Sequence, residues 1–247
     1  MSSAKPRILT EINYESAAQD YLHSLPLEHF MEATDQATQR QITLDSLTVL
    51  KVYRPEVQVF NELLVQYPRP GQRRPGQVVP DNMVVLSSEP VRARSSFNLP
   101  LEKSKPFWVL EYVSPSNPRK DYDDNFEKYE KELKVPYFLL FYPDSQDLTL
   151  YHHTGKKYVS VKPNSRGRYP IPDLDLEVAL LDEWVRYWYK GKLLPLPADL
   201  QRDLNSSTRE LIELKKRLEH TERELAELRT LVQQNSNRRN NGSKTKS

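Results

Sequence analysis

The chain contains no cysteine. That excludes disulfides, thiolate metal sites and cysteine nucleophiles, and it suits a reducing compartment, so the expected location is the cytoplasm. No stretch approaches the roughly 20 apolar residues of a membrane span. The opening MSSAKPRILTEINYESAAQDYL carries acids early and has no apolar run of signal-peptide length. Gly-rich phosphate loops are missing, which assigns any nucleotide-driven partner activity to another chain. Neither a recognition-helix nor a zinc-finger pattern is present, so no base-reading element is legible. An excess of one charge is also lacking. Lys and Arg number 36 against 34 Asp and Glu, a formal net charge of +2, and such a balance does not by itself announce a nucleic-acid binder.

What is present is enough apolar sequence for a core in part of the chain. Of the 247 residues, 37% are hydrophobic, 10% aromatic and 28% charged, which suggests one domain with extensions. Residues 1–34 read as a polar, partly helical extension, and 35–197 as an α/β domain with a mixed sheet. Within it, ITLDSLTVLKVY (42–53) suits an amphipathic helix and VQVFNELLVQY (57–67) a strand, while PRPGQRRPGQ (68–77) is a loop. VVPDNMVVL (78–86) and FWVLEYVSPSN (107–117) read as buried strands. In NPRKDYDDNFEKYEKELK (117–134), Phe126, Tyr129 and Leu133 form one helical stripe. VPYFLLFYP (135–143) has the continuous apolar character of a strand covered on both faces, and 147–163 reads as two strands about a Gly-containing turn. LEVALLDEWVRYWY (176–189) is dense enough in apolar residues to predict a closing helix.

From about residue 200 the pattern changes. Leu204, Leu211, Leu218, Leu225 and Val232 fall seven apart, with Leu214 and Leu228 three after members of the series and Ser207 and Thr221 interrupting it. This a/d repeat predicts a coiled coil over 200–235. Residues 236–247 read as a disordered basic tail.

Each of the two buried strands carries one acid, Asp81 and Glu111. Carboxylates on adjacent strands can converge on Mg²⁺ or Mn²⁺, hard cations that keep several waters and need only one or two protein carboxylates. Such an ion polarises a phosphodiester and activates water, and a nearby lysine stabilises the developing charge. On spacing alone the acids also fit a turn cap after Pro80 and a solvent-facing position on an edge strand.

Five features occur together in one order: PDNMVV at 80–85, WVLEYVSPSN at 108–117, Asp121 opening the following helix, Tyr129 late in it, and LKVPYFLLFYP at 133–143. In these the region from about 58 to 182 resembles the Uma-type putative restriction endonuclease family of the PD-(D/E)XK nuclease superfamily. The resemblance implies a restriction-endonuclease-like mixed β-sheet core flanked by helices, with Asp81 and Glu111 as catalytic metal ligands. It also implies a lysine, and here the chain departs from the pattern. The position two after the Glu is Val113, and the position four before the Tyr is Asn125. Lys128, then Lys120, are the expected replacements, with Lys131 further along the same helix.

Arg69, Arg73, Arg74, Arg92, Arg94, Lys103 and Lys105 are concentrated in the connectors flanking the Asp81 strand. They would form a basic rim for phosphates, with Arg73, Arg74, Arg92 and Arg94 as the expected nucleic-acid contacts, or they solubilise loops. Glu62 is a third acid if its strand lies beside that of Asp81, and otherwise faces solvent. His152 and His153 read as a surface pair in preference to a metal site, because adjacent residues of a strand point to opposite faces and one of the two must point away. The expected function is a metal-dependent endonuclease acting on DNA, with the heptads as a means of homodimerisation. The alternative is a catalytically inactive nuclease-fold module that binds DNA or protein and dimerises through the coiled coil.

Overall fold

The computed structural model describes residues 4–25, 34–91, 93, 95–113 and 119–242, with no side-chain description for 4–6, 8, 119–122 and 234–242. The chain divides into two compact units, residues 1–196 and 197–247.

The first unit begins with α1 (Ala4–Ser24) and α2 (Thr34–Tyr53). α2 starts a turn or more before the apolar repeat that announces it, and the reason is a polar inner face. Gln39 is buried, accepts a hydrogen bond from the Val185 N–H at 2.8 Å and donates to the Val185 carbonyl at 3.2 Å. Thr43 shares a 2.8 Å hydrogen bond with the Tyr187 hydroxyl. Buried polar groups with partners are admissible in a core, but a hydrophobic period cannot reveal them. Ile42, Leu47 and Leu50 complete the stripe.

The central layer is a six-stranded sheet in the order β1 (Val57–Asn61), β4 (Asn82–Leu86), β6 (Pro106–Tyr112), β7 (Tyr137–Tyr142), β8 (Asp147–His153) and β9 (Tyr158–Ser160). Only β6 and β7 run parallel, and the helical segment from residue 119 to 133 lies between them in sequence, as a parallel crossover requires. β2 (Leu64–Tyr67), β3 (Gly76–Val78) and β5 (Ser96–Asn98) form a separate three-stranded sheet. The expected strands 57–67 and 78–86 are therefore each broken in two. One break falls at Glu62, whose φ of 48° turns the chain in the left-handed region. The other falls at Pro80 and Asp81, where proline has no N–H for a ladder. The Glu62 N–H donates to the Asp81 carbonyl at 3.2 Å, tying the two breaks together.

Residues 176–189 are not a helix. They form the hairpin β11 (Leu176–Leu181) and β12 (Trp184–Tyr189), flanked by β10 (Tyr169–Ile171) and β13 (Lys192–Leu193) in a four-stranded antiparallel sheet. Asp182 and Glu183 make the two-residue turn with φ of 51° and 68°, the pair of positive values that a primed hairpin turn needs. The absence of Asn-Gly or Asp-Gly hid the turn. The alternation of buried Leu176, Val178, Val185 and Tyr187 was masked by large apolar residues on the other face.

Strand alternation sorts the core into two clusters. Val84, Trp108, Leu110, Leu139 and Phe141 point to one face and pack with α2 and the β10–β13 sheet. Met83, Val85, Val109, Phe138 and Leu140 point to the other and pack with Val65, Val78 and Phe97 of the small sheet. Phe126, Tyr129 and Leu133 join this second cluster as the predicted stripe. Their helix is α3 (Arg119–Glu127), continued by one wide π-helical segment (Lys128–Leu133) that Lys134 terminates at φ 50°.

The second unit is α4 (Pro197–Gly242), one continuous helix on which Leu204, Leu211, Leu214, Leu218, Leu225, Leu228 and Val232 are exposed. Among the described residues no helix is long and apolar enough to cross a membrane.

Candidate active site

β4 pairs antiparallel with β6 so that Asn82 faces Leu110 and Met83 faces Val109. Just beyond the end of that ladder Asp81 comes beside Glu111, near enough for its charge to act on the Glu111 carboxyl. β6 is flanked by β4 and β7, so Glu111 occupies an interior strand and not an edge. The two acids thus meet at one end of the central sheet. Asp81 sits in the break just before β4, where its carboxylate is not committed to strand alternation.

Both carboxylates are held. Asp81 Oδ2 accepts the Tyr112 N–H at 2.6 Å, and Oδ1 accepts the Gln36 side-chain amide at 3.2 Å. Glu111 follows the parity of Val109 toward the second cluster, where the fully buried Tyr129 donates its hydroxyl to Glu111 Oε1. Burial, then the negative charge of Asp81, push the Glu111 carboxyl well above the usual carboxylate range. The Tyr129 hydroxyl, the Asp81 backbone and the charge of Lys128 pull the other way. Tyr129 is itself pushed well up by burial and then by Glu111, which keeps it a neutral hydrogen-bond donor.

Two hard oxygen donors that repel one another in a partly desolvated setting suit a divalent cation, because the ion removes both reasons for Glu111 to hold a proton. Among the described residues, no group of three or more Asp, Glu, His or Cys gathers around a common point. Glu62 does lie beside the Asp81 segment, but it is an exposed residue whose carboxylate pairs with Arg40 at 2.5 Å.

Of the lysines, Lys128 lies directly before Tyr129, and its charge reaches Glu111. Lys131 turns to Glu127 at 2.5 Å on the exposed side of the helix. The side chain of Lys120 lies outside the described residues, as does that of Asp121. Asn125 is half-buried. In the connectors, Arg69 is paired with Glu132 at 3.1 Å and Lys103 with Glu89 at 2.8 Å. Two charges of the expected basic rim are therefore already engaged. Arg73 and Arg74 are exposed, and Arg92 and Arg94 lie outside the described residues.

The histidines are not a surface pair. His153 is buried and its Nδ1 accepts the Gly155 N–H at 3.0 Å, which leaves Nε2 to donate to the Glu130 carbonyl at 3.0 Å. It ties the β8–β9 turn to the helix that carries Tyr129. His152 is exposed and rests on the Tyr137 ring.

A shallow pocket adjoins Asp81, lined also by Gln36, Arg40, Glu62, Asn82 and Tyr112. Among the described residues the Asn82 amide nitrogen, buried there, has no hydrogen-bond partner. Gln36 and Arg40 escaped the sequence reading. Both sit in the first turns of α2, where the pattern is polar and gives no sign that the helix crosses the end of the sheet.

The model of a family described as "Putative restriction endonuclease" (Uma2) matches residues 29–182, more than half of the chain. No curated protein matches it. A solved structure described as a putative nuclease belonging to DUF820, from Anabaena variabilis ATCC 29413, is similar at 20% identity. The alignment covers 58% of this chain and 75% of that one, with a TM-score of 0.42.

Proposed function

Because the chain belongs to the Uma2 family, described as "Putative restriction endonuclease", we propose that it is a divalent-metal-dependent endonuclease that hydrolyses DNA phosphodiester bonds, with Asp81 and Glu111 as the metal ligands. One observation carries the reading. Asp81 lies just beyond the end of the β4–β6 ladder, where its charge adds to burial in holding Glu111 toward its neutral form. A fold does not maintain such a pair for stability, and perturbed carboxylates of this kind mark functional sites. Magnesium or manganese, when bound, supplies polarisation of the phosphoryl oxygens and a more acidic water.

The chain's own residues do the rest. Tyr129 fixes the Glu111 rotamer through its hydroxyl, and the Tyr112 N–H and Gln36 amide fix Asp81. Such supporting bonds determine where a ligand points. Lys128 supplies positive charge near Glu111 that Val113 and Asn125 cannot. Arg40 offers a second cation beside Asp81, and the Asn82 amide a donor for a phosphate or water oxygen. Exposed Arg73 and Arg74, with Arg92 and Arg94, are the proposed contacts to the DNA backbone, and Lys120 is the alternative to Lys128 as the catalytic lysine. The nuclease domain is taken as residues 35–197, with α4 as an association element.

A second reading, a module that binds DNA or protein without cutting, is favoured by one observation: neither expected lysine position holds lysine. Cleavage of supercoiled plasmid and linear DNA by wild type, Asp81→Ala and Glu111→Ala, with Mg²⁺, Mn²⁺ or EDTA, separates the two. Metal-dependent cutting by wild type, lost in both variants, is the expected result. A pure wild type that neither cuts nor shifts in melting temperature with either metal would sink the nuclease reading and leave the module.

A further inference from the structure

We propose that α4 associates with α4 of a second copy of this chain as a parallel, in-register, two-stranded coiled coil. Seven large apolar residues of the a and d series, Leu204, Leu211, Leu214, Leu218, Leu225, Leu228 and Val232, are each exposed by 46% or more. A single helix with such a seam has no core to stabilise it, and a contiguous apolar stripe this long marks an association surface.

The residues flanking the seam choose the occupant. The g positions are Asp203, Glu210, Arg217, Glu224 and Leu231, and the e positions facing the first four are Thr208, Lys215, Glu222 and Arg229. In a parallel pair each g residue meets the e residue five further along the other helix. Glu210 then meets Lys215, Arg217 meets Glu222, and Glu224 meets Arg229. All three charged contacts attract, and two-fold symmetry makes six. A charge pattern complementary to itself at that spacing specifies a second copy of the same helix. Arg217 rests on Glu213 of its own helix at 2.8 Å and His220 on Glu224 at 3.4 Å; both are exposed pairs that exchange at little cost.

The interruptions specify direction. In a parallel pair Ser207 meets Ser207 and Thr221 meets Thr221, so polar residues share two layers and seven layers stay apolar. An antiparallel pair sets each of them against an apolar a residue and spoils four layers. The antiparallel alignment that starts by pairing Leu204 with Leu228 also opposes Arg217 with Arg217 and Lys215 with Lys215. The alignment one heptad on has four ion pairs in place of six. Because each α4 follows its own residues 1–196 in the chain, a parallel pair has both attachment points at the same end.

The absence of native cysteine makes the test direct. The full-length protein is studied by sedimentation equilibrium, with circular dichroism to verify that each variant keeps its helix content. Wild type is expected to be a dimer at micromolar concentration. Arg217→Glu is expected to weaken it at least tenfold, and adding Glu222→Arg on the same chain to restore it. In the antiparallel alignment that uses four ion pairs, that second change sets a new cation against Lys215 and weakens association further. Leu204→Cys and Leu225→Cys are each expected to oxidise to a covalent dimer. In antiparallel pairs the 204 positions lie roughly 35 Å or more apart, at about 1.5 Å per residue. A monomer mass, a trimer or tetramer mass, failure of the rescue, or no covalent dimer from either cysteine variant would overturn the proposal. Mass and cross-linking report association whether or not the protein cuts DNA, so this result is independent of the nuclease reading.

Discussion

The two faces of the six-stranded sheet are laid down by the same strands and filled with the same residue types. The face toward α2 carries Val84, Trp108, Leu110, Leu139 and Phe141, and it is closed by the β11–β12 hairpin. The opposite face carries Met83, Val85, Val109, Phe138 and Leu140, and its alternation continues from Val109 to Glu111. On the first face Gln39 is bonded at both ends of its amide to Val185, while among the described residues the Ser46 hydroxyl and the Trp108 indole nitrogen are buried without a partner. The second ends in a carboxylate that burial and Asp81 hold toward protonation. A polar group that is fully satisfied serves the fold. A carboxylate that is left in a raised energy state is available to a ligand, and the contrast can be tested from either side.

The largest effect is expected at the acids. Asp81→Ala and Glu111→Ala should each reduce metal-dependent cleavage on the order of 1,000-fold, the loss typical of removing a group that stabilises transition-state charge, while thermal melts show both proteins folded. Unchanged cleavage in either variant would dissolve the distinction between the faces. On the apolar face, Leu139→Ala removes a fully buried side chain. It should cost about 3 kcal/mol of stability, read by urea denaturation, with cleavage per folded molecule unaltered.

Tyr129→Phe probes the junction between core and site. The ring stays packed against Phe138 at 5.3 Å between centroids, but Glu111 loses its donor. A fall of about 10- to 100-fold in cleavage or in metal affinity is expected, measured by metal titration. A change in melting temperature without one in metal affinity would make Tyr129 purely a packing residue.

The smallest effect concerns stability and pH. Below the carboxylate range Glu111 is protonated folded and unfolded, and no difference arises. As pH rises past the ordinary value of 4.5 the unfolded chain ionises first while the folded chain keeps its proton, so stability falls with pH until the raised folded value is passed. Glu111→Gln keeps an acceptor for Tyr129 and removes this dependence. It should stabilise the metal-free protein by about 1 kcal/mol at neutral pH, a gain of the size seen when a functional site is relaxed, and by less as pH falls toward 4. Melting curves across that range decide it. A variant less stable than wild type at every pH would mean that the repulsion with Asp81 is not felt.

Much of this was legible before any coordinates. The continuous apolar run of β7, the Phe126–Tyr129–Leu133 stripe and the heptads of α4 are local periodicities, and the two acids stand out because carboxylates interrupt strand-like sequence. The hairpin at 176–189 does not show in the sequence because a segment with apolar residues at nearly every position has no unique period. The breaks at Glu62 and Asp81 were also hidden, since the sequence there is continuous and only the change of sheet divides it.

The sequence by itself determined which residues could carry the chemistry, because ionisable groups in apolar runs and a seven-residue repeat are properties of neighbours along the chain. Tertiary structure alone decided that β4 and β6 pair in the register that sets Asp81 beside Glu111. It also brought Tyr129, 18 residues on, to hold Glu111, and it carried Gln36, from 45 residues back, to Asp81. Those relations depend on strand order and on which face a helix covers. They are set by the burial of the whole core, and no local stretch of residues contains them.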